Sequence, residues 1–364
     1  MQSASTPAVV LAQLGRTCRS LWRLGSHALV GWTETPNGID VLTMPKIRLF
    51  SLGEVPRRTF AGERRMGRST FETVRAALGL QSIELRLDLP VGDGPGQVPP
   101  AEIERYVSPY AVTRTERRAV ALIDIVGFSK LDPAQQASQL ATLEFALNLA
   151  AETAAAHGLA AELVRSTTGD GFYVWSAAKG LEADEDLFAL AILFVLFSAA
   201  MRRSIETPAA APEIRLCIGI GSHYTYRQAA SGEPASSEFI VGEITITLAR
   251  LMSAARPGQI LVSDFCRARD GGGSPVGPQS LLARAVERLA FVSSLALLGH
   301  PIAGLKVYLT GPKRGDSFAV QRLRVTDKHG LAHDCFNLKI NVGLTDAEPH
   351  FCGLRHQDVM GARP

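Results

Sequence analysis

One stretch, Arg118 to Trp175, limits what this chain can fold into more than any other. Ala119 to Ile125 is an apolar run whose one charge, Asp124, comes near its end. Val164 to Trp175 is two short extended runs separated by Gly169-Asp170-Gly171. Glycine supplies the positive φ of a tight turn, so Gly-Asp-Gly between β-type runs predicts a hairpin. One carboxylate then sits near the end of a buried strand and a second at a hairpin tip. If the two strands are neighbours, the carboxylates converge. Like charges held together need a cation, and oxygen-only ligands suit Mg²⁺ or Mn²⁺.

A helix is expected after Asp124, starting near Pro133, because proline suits a first helical position. Leu140, Leu143, Leu147 and Ala150 keep helical spacing through that segment. The turn before it offers backbone N–H groups at Val126, Gly127, Phe128 and Ser129. Such groups at a helix start hold phosphate oxygens. The plainer alternative is a strand-to-helix turn capped by Ser129.

Asp124-Ile125-Val126-Gly127-Phe128-Ser129 and Thr167-Thr168-Gly169-Asp170-Gly171-Phe172 together resemble the class III nucleotide cyclases. A third block agrees: Val241-Gly242-Glu243, then Leu248-Ala249-Arg250-Leu251-Met252, then Pro257 to Ser263. The resemblance covers Arg117 to Gly311. It implies an α/β (α+β) catalytic domain of ferredoxin-like βαββαβ type. It also implies two divalent ions, Mn²⁺ or Mg²⁺, on Asp124, Ile125 and Asp170, and a triphosphate on Val126 to Ser129. Arg250 would meet the triphosphate, a role that suits a planar, permanently charged fork. The alternative for Arg250 is a surface arginine. By the same resemblance the active site spans a homodimer, with Asp124 and Asp170 from one subunit and Arg250 from the other. Lys306 loosely matches a lysine that the family sometimes sets on phosphate.

The departures from the pattern concern the base. The family reads a purine from two positions, which here hold Ser166 and Phe239, and an Asn of the family is Ile246. Replacing groups that hydrogen-bond a base changes base choice. Arg165 to Trp175, with Val325 to Val342, is similar to the pyrimidine cyclases of the Pycsar antiphage system. That likeness implies cyclic UMP made from UTP, acting on a separate effector protein. Arg165, next to Ser166, is then a candidate base reader, although strand alternation puts the two on opposite faces. Three alternatives stay open: cyclic CMP from CTP, a purine cyclase with an unusual base pocket, and a non-catalytic nucleotide-binding module.

The remaining sequence frames this core. With 364 residues and a net charge of +3, the chain suggests neither nucleic acid nor any other charged partner. Its five cysteines are scattered without a CxxC, as expected of a reduced, cytoplasmic protein. Met1 to Thr33 reads as a poorly ordered tail, and Thr70 to Leu80 as a helix capped by Ser69. Gly92 to Pro100 reads as a linker. Domains are expected at 1–100, 101–312 and 313–364, the last a β-rich extension.

Leu187 to Ala200 is the most apolar stretch. It is shorter than the ~20 residues of a membrane span, which predicts a buried helix and no membrane partner. Gly219 and Gly221 predict close backbone packing rather than a dinucleotide site. Tyr224 to Ser237 reads as an exposed arm. His329 and His333, flanked by Asp327 and Asp334, lack the support that a zinc site needs.

Overall fold

The computed structural model describes residues 6–53, 58–204, 210–228, 237–268, 272–314, 317–327 and 330–360. Contacts divide the chain into two units: Met1–Glu116 with His223–Val241, and Arg117–Ser222 with Gly242–Pro364.

The first unit opens with helix α1 (Pro7–Trp22) and strands β1 (His27–Thr35) and β2 (Gly38–Pro45). Helix α2 (Arg68–Leu78), strand β3 (Ser82–Arg86) and helix α3 (Pro100–Val107) follow. The three strands form an antiparallel sheet in sequence order. Leu14, Cys18, Trp32, Ile39 and Val107 are buried together in its core. This corrects the expectation of a disordered tail: the apolar side chains of 7–35 recur at helical and then strand spacing, and that spacing buries them. It also corrects two smaller expectations. Gly67, not Ser69, precedes α2. Gly92 and Val98 are joined by a backbone hydrogen bond of 3.0 Å, so the glycine-rich stretch is a tied loop inside this unit and not the domain boundary.

The second unit is built on strand β4 (Thr113–Ile125), helix α4 (Pro133–Ala156), strands β5 (Leu163–Thr167) and β6 (Gly171–Ser176), helix α5 (Leu181–Ser204) and strand β7 (Ile214–Gln228). These run β-α-β-β-α-β, and the strands lie in the order β7-β4-β6-β5. That order is the ferredoxin-like arrangement, as expected. Helix α4 starts where the sequence placed it, with Asp132 accepting from the Gln135 N–H in a capping box. Strand β8 (Ser237–Val241) pairs with 224–228 of β7, in the first unit, so much of the expected arm is a β-ribbon. Residues 229–236 lie outside the described residues.

Next come helix α6 (Glu243–Ala254), strand β9 (Ile260–Ser263), helix α7 (Pro278–Arg288) and strands β10 (Ala296–Leu297) and β11 (His300–Leu309). The chain then forms a small hairpin, β12 (Lys313–Arg314) with β13 (Ser317–Phe318), and β14 (Arg322–Thr326). Strands β15 (Ala332–Leu344) and β16 (Ala347–Cys352) and helix α8 (His356–Met360) complete it. β15 lies between β11 and β9 in the main sheet. The residues after 313 are therefore not an appended extension. Phe336, Leu338, Ile340 and Val342 alternate onto the core face, and only the sheet interior can bury such a row.

Helix α5 is long and apolar enough to cross a bilayer, yet Leu187 to Leu196 are buried against the sheet and neighbouring helices. Its acidic start is also buried and paired. Asp184 meets Arg267 at 2.6 Å, Glu185 meets Arg284 at 3.1 Å and Asp186 meets Arg288. Gly219 is packed as expected, since a Cβ there would stand 1.9 Å from Ser263 Oγ.

Candidate active site

Alternation on β4 sends Ala119, Ala121, Ile123 and Ile125 into the core and leaves Asp124 on the opposite sheet face. β6 pairs antiparallel with β4, setting Gly171 across from Asp124. The Ile125 N–H donates to the Asp170 carbonyl at 3.0 Å, which locks the hairpin tip against the strand end. A Cβ at Gly171 would stand 1.9 Å from the Ile123 carbonyl oxygen, so only glycine permits this approach. The two carboxylates converge as the sequence predicted, close enough for the charge of Asp170 to act on Asp124.

Asp124 is 7% exposed. Burial raises its carboxyl above the ordinary value, Arg215 opposes that shift, and the neighbouring Asp170 adds to it. Arg215 was missed by sequence reasoning. Its Nε donates to Asp124 Oδ2 at 2.9 Å, and its Nη2 reaches the same oxygen. Its Nη1 donates to the Met252 and Ala255 carbonyls at 3.4 and 3.2 Å, at the C-terminal end of α6. A signal was available: a charge inside the apolar strand Ile214 to Gly221 needs a buried partner.

α6 crosses the sheet face that carries Asp124. Tyr173, two residues along β6 from Gly171, donates its hydroxyl to the Thr245 carbonyl at 3.0 Å. Arg250, on the same helix, meets a carboxylate of its own chain, with Nε 3.3 Å from Asp327 Oδ2. Asp327 also contacts His333 Nε2 at 3.4 Å. His329 lies outside the described residues. Among the described residues no group of three or more His, Cys, Asp or Glu is placed to hold a metal.

The turn after β4 that the sequence offered for phosphate keeps fewer N–H groups than expected. The Val126 N–H donates to the Glu213 carbonyl at 2.8 Å, so it is spent within the protein. Gly127, Phe128 and Ser129 precede the first hydrogen bond of the 3₁₀ turn, which Lys130 makes to Gly127 at 2.9 Å. N–H groups at that place have no partner within the turn.

The base-reading candidates separate. Ser166 pairs with Tyr173 in the β5–β6 register and shares the Asp124 face. Arg165 lies on the other face, where it contacts Glu144 at 3.3 Å and Asn148, both on α4. Its placement does not fit a base reader: alternation turns it toward the helices. Phe239 is in the first unit and packs against Tyr226 at 4.9 Å between ring centroids.

The donor set fits a hard divalent ion. It offers carboxylate oxygens only, one charge is compensated by Arg215, and Mg²⁺-type ions are held by one or two carboxylates plus phosphates and water.

No family model and no curated protein matches the chain. Several solved structures are similar. The guanylate cyclase domain of RhGC from Catenaria anguillulae, in complex with GTP, is 14% identical, with a TM-score of 0.37 over 64% of this chain and 100% of that one. The adenylyl cyclase CyaB from P. aeruginosa is 22% identical, with a TM-score of 0.31 over 46% of this chain and 93% of that one. At these scores the overlaps stand as likenesses, and what the site can do follows from its own side chains.

Proposed function

We propose that this chain is a nucleotide cyclase of class III type that converts UTP to cyclic UMP and pyrophosphate. The observation that carries this reading is the meeting of Asp124 and Asp170 on one sheet face, beside the N–H groups of Gly127 to Ser129. Carboxylates of this kind hold divalent ions, Mn²⁺ or Mg²⁺, which lower the 3′-hydroxyl pKa and offset charge on the phosphates. The N–H groups of Gly127 to Ser129 would bind the triphosphate. Arg215 fixes the Asp124 carboxylate in place, and Arg250 would meet charge that builds on the phosphates.

Ser166 on the metal-binding face, where the family often has a lysine, favours a base other than a purine. The exposed apolar side chain of Ile246 on α6 suits a second copy of the chain, so a homodimer is part of the reading. We place the protein in the cytoplasm, as a source of second messenger for a separate effector in antiphage defence.

Each of the four NTPs, incubated separately with the protein and Mn²⁺, should be followed by mass spectrometry. Cyclic UMP from UTP alone is the expected result. Cyclic CMP alone would keep the pyrimidine reading and move the base. Cyclic AMP or cyclic GMP would overturn the reading of Ser166. No product from any NTP would overturn the enzyme assignment.

A further inference from the structure

On the sheet face opposite the core, β15 presents Asn337, Lys339 and Asn341 between its buried apolar residues. An open cleft of about 750 Å³ runs over Lys339 and Asn341, between the end of β11 and the start of α8. Its volume is that of a small-molecule site.

Lys339 is 8% exposed, and its Nζ donates to the Gly353 carbonyl at 3.0 Å. An ammonium has three donors, and no carboxylate among the described residues pairs with this one. Asp358, which also lines the cleft, is held by Arg355 at 2.9 Å. Lys339 feels both the Asp358 carboxylate and the Arg355 guanidinium that binds it, so the group keeps a net positive charge, which favours an anion. Two residues along, Asn341 donates from Nδ2 to the Tyr308 hydroxyl at 3.3 Å. Its Oδ1 is buried without a donor among the described residues. Phe351 stands directly across from Asn341 in the β15–β16 register. It is 55% exposed, with the Lys339 ammonium 5.6 Å from its ring centre. Lys313 adds a positive charge at the rim.

The geometry points to a binding site for a small anion that carries a flat ring with an N–H donor, which is the chemistry of a nucleotide. The anionic group takes the open donors of Lys339. The ring lies on Phe351 and its edge N–H meets Asn341 Oδ1. Neither Asp124 nor Asp170 lines this cleft, so the site is separate from the proposed active site and does not depend on its chemistry.

Calorimetric titration of the full chain with UMP, AMP, uridine and inorganic phosphate tests the site. Either nucleotide should bind saturably, and at least about tenfold more tightly than uridine. Lys339→Met should weaken binding at least about tenfold, and Phe351→Ala, at an exposed position that does not bear on folding, about fivefold. Asp124→Asn should leave binding unchanged. No saturable binding by any of the four probes at millimolar concentration overturns the proposal. So does binding that survives both cleft variants or disappears with Asp124→Asn.

Discussion

Arg215 donates to Oδ2 of Asp124 at 2.9 Å while also gripping the carbonyls of Met252 and Ala255. One side chain thereby ties the carboxylate on β4 to the end of the helix that carries Arg250. Removing it leaves a buried carboxylate without its cation. Arg215→Met should lower stability by about 2 kcal/mol in urea denaturation, the usual loss for stranding a buried charged acceptor. An unchanged unfolding midpoint would show that the tie is idle.

The carboxylate pair should behave as a metal site that is strained when empty. Asp170→Asn removes a like charge from beside Asp124, so the metal-free variant should melt slightly above the parent. The parent should gain thermal stability with Mn²⁺ through binding to the folded state, and the variant should not. Turnover in Asp124→Ala or Asp170→Ala should fall roughly a thousandfold, matching several kcal/mol of lost charge stabilisation. Circular dichroism would check that both variants remain folded.

Arg250 should matter more to rate than to affinity. Arg250→Lys keeps the charge and loses the fork, so kcat should drop about 10²-fold with a smaller change in KM. Asp327→Asn loosens the Nε contact and should lower kcat about fivefold. Steady-state kinetics on the two variants would separate a group that meets charge in the transition state from a surface arginine.

His350 gives the fold a pH limit. It is buried, and burial, with Arg203 adding to it, lowers its pKa from 6.5 to about 4. A depressed folded value means that the unfolded chain takes up the proton first as pH falls. Stability is therefore full above about pH 6.5 and is lost as pH falls toward 4, by up to about 3 kcal/mol. His350→Leu should flatten that dependence in thermal melts run from pH 7 to 4. An equally steep loss in the variant would assign the effect to other groups.

Gly171→Ala tests the close approach of β4 and β6. The added methyl meets the Ile123 carbonyl at 1.9 Å, so the hairpin must move away from Asp124. Stability should fall by about 2 kcal/mol or more, the scale of overpacking in a tight site. Metal binding should weaken with it, as read by the Mn²⁺ shift in melting temperature.

The helices after Asp132 and at Leu181, and the hairpin around Asp170, were legible because each rests on local rules. A capping residue with proline, an unbroken apolar run and a Gly-Asp-Gly turn act within a few residues of chain. The convergence of Asp124 and Asp170 was legible for the same reason, once neighbouring strands were assumed. The folded state of residues 7–35 was not: the spacing of its apolar residues is regular, but some of the partners that hold them lie more than sixty residues away, as when Trp32 donates to Glu104 at 2.6 Å.

The family resemblance implied the β-α-β-β-α-β order; the residues themselves determined the placing of two carboxylates at strand and hairpin ends, and the glycines that let backbones touch. Those follow from periodicity and from the backbone freedom of single residues. Only the tertiary structure decided which cation faces Asp124, that Asp327 holds Arg250, that Arg165 turns to the helices, and that β15 enters the sheet interior. Each of these joins residues far apart in the chain, and such pairings depend on strand order and register, which no local pattern encodes.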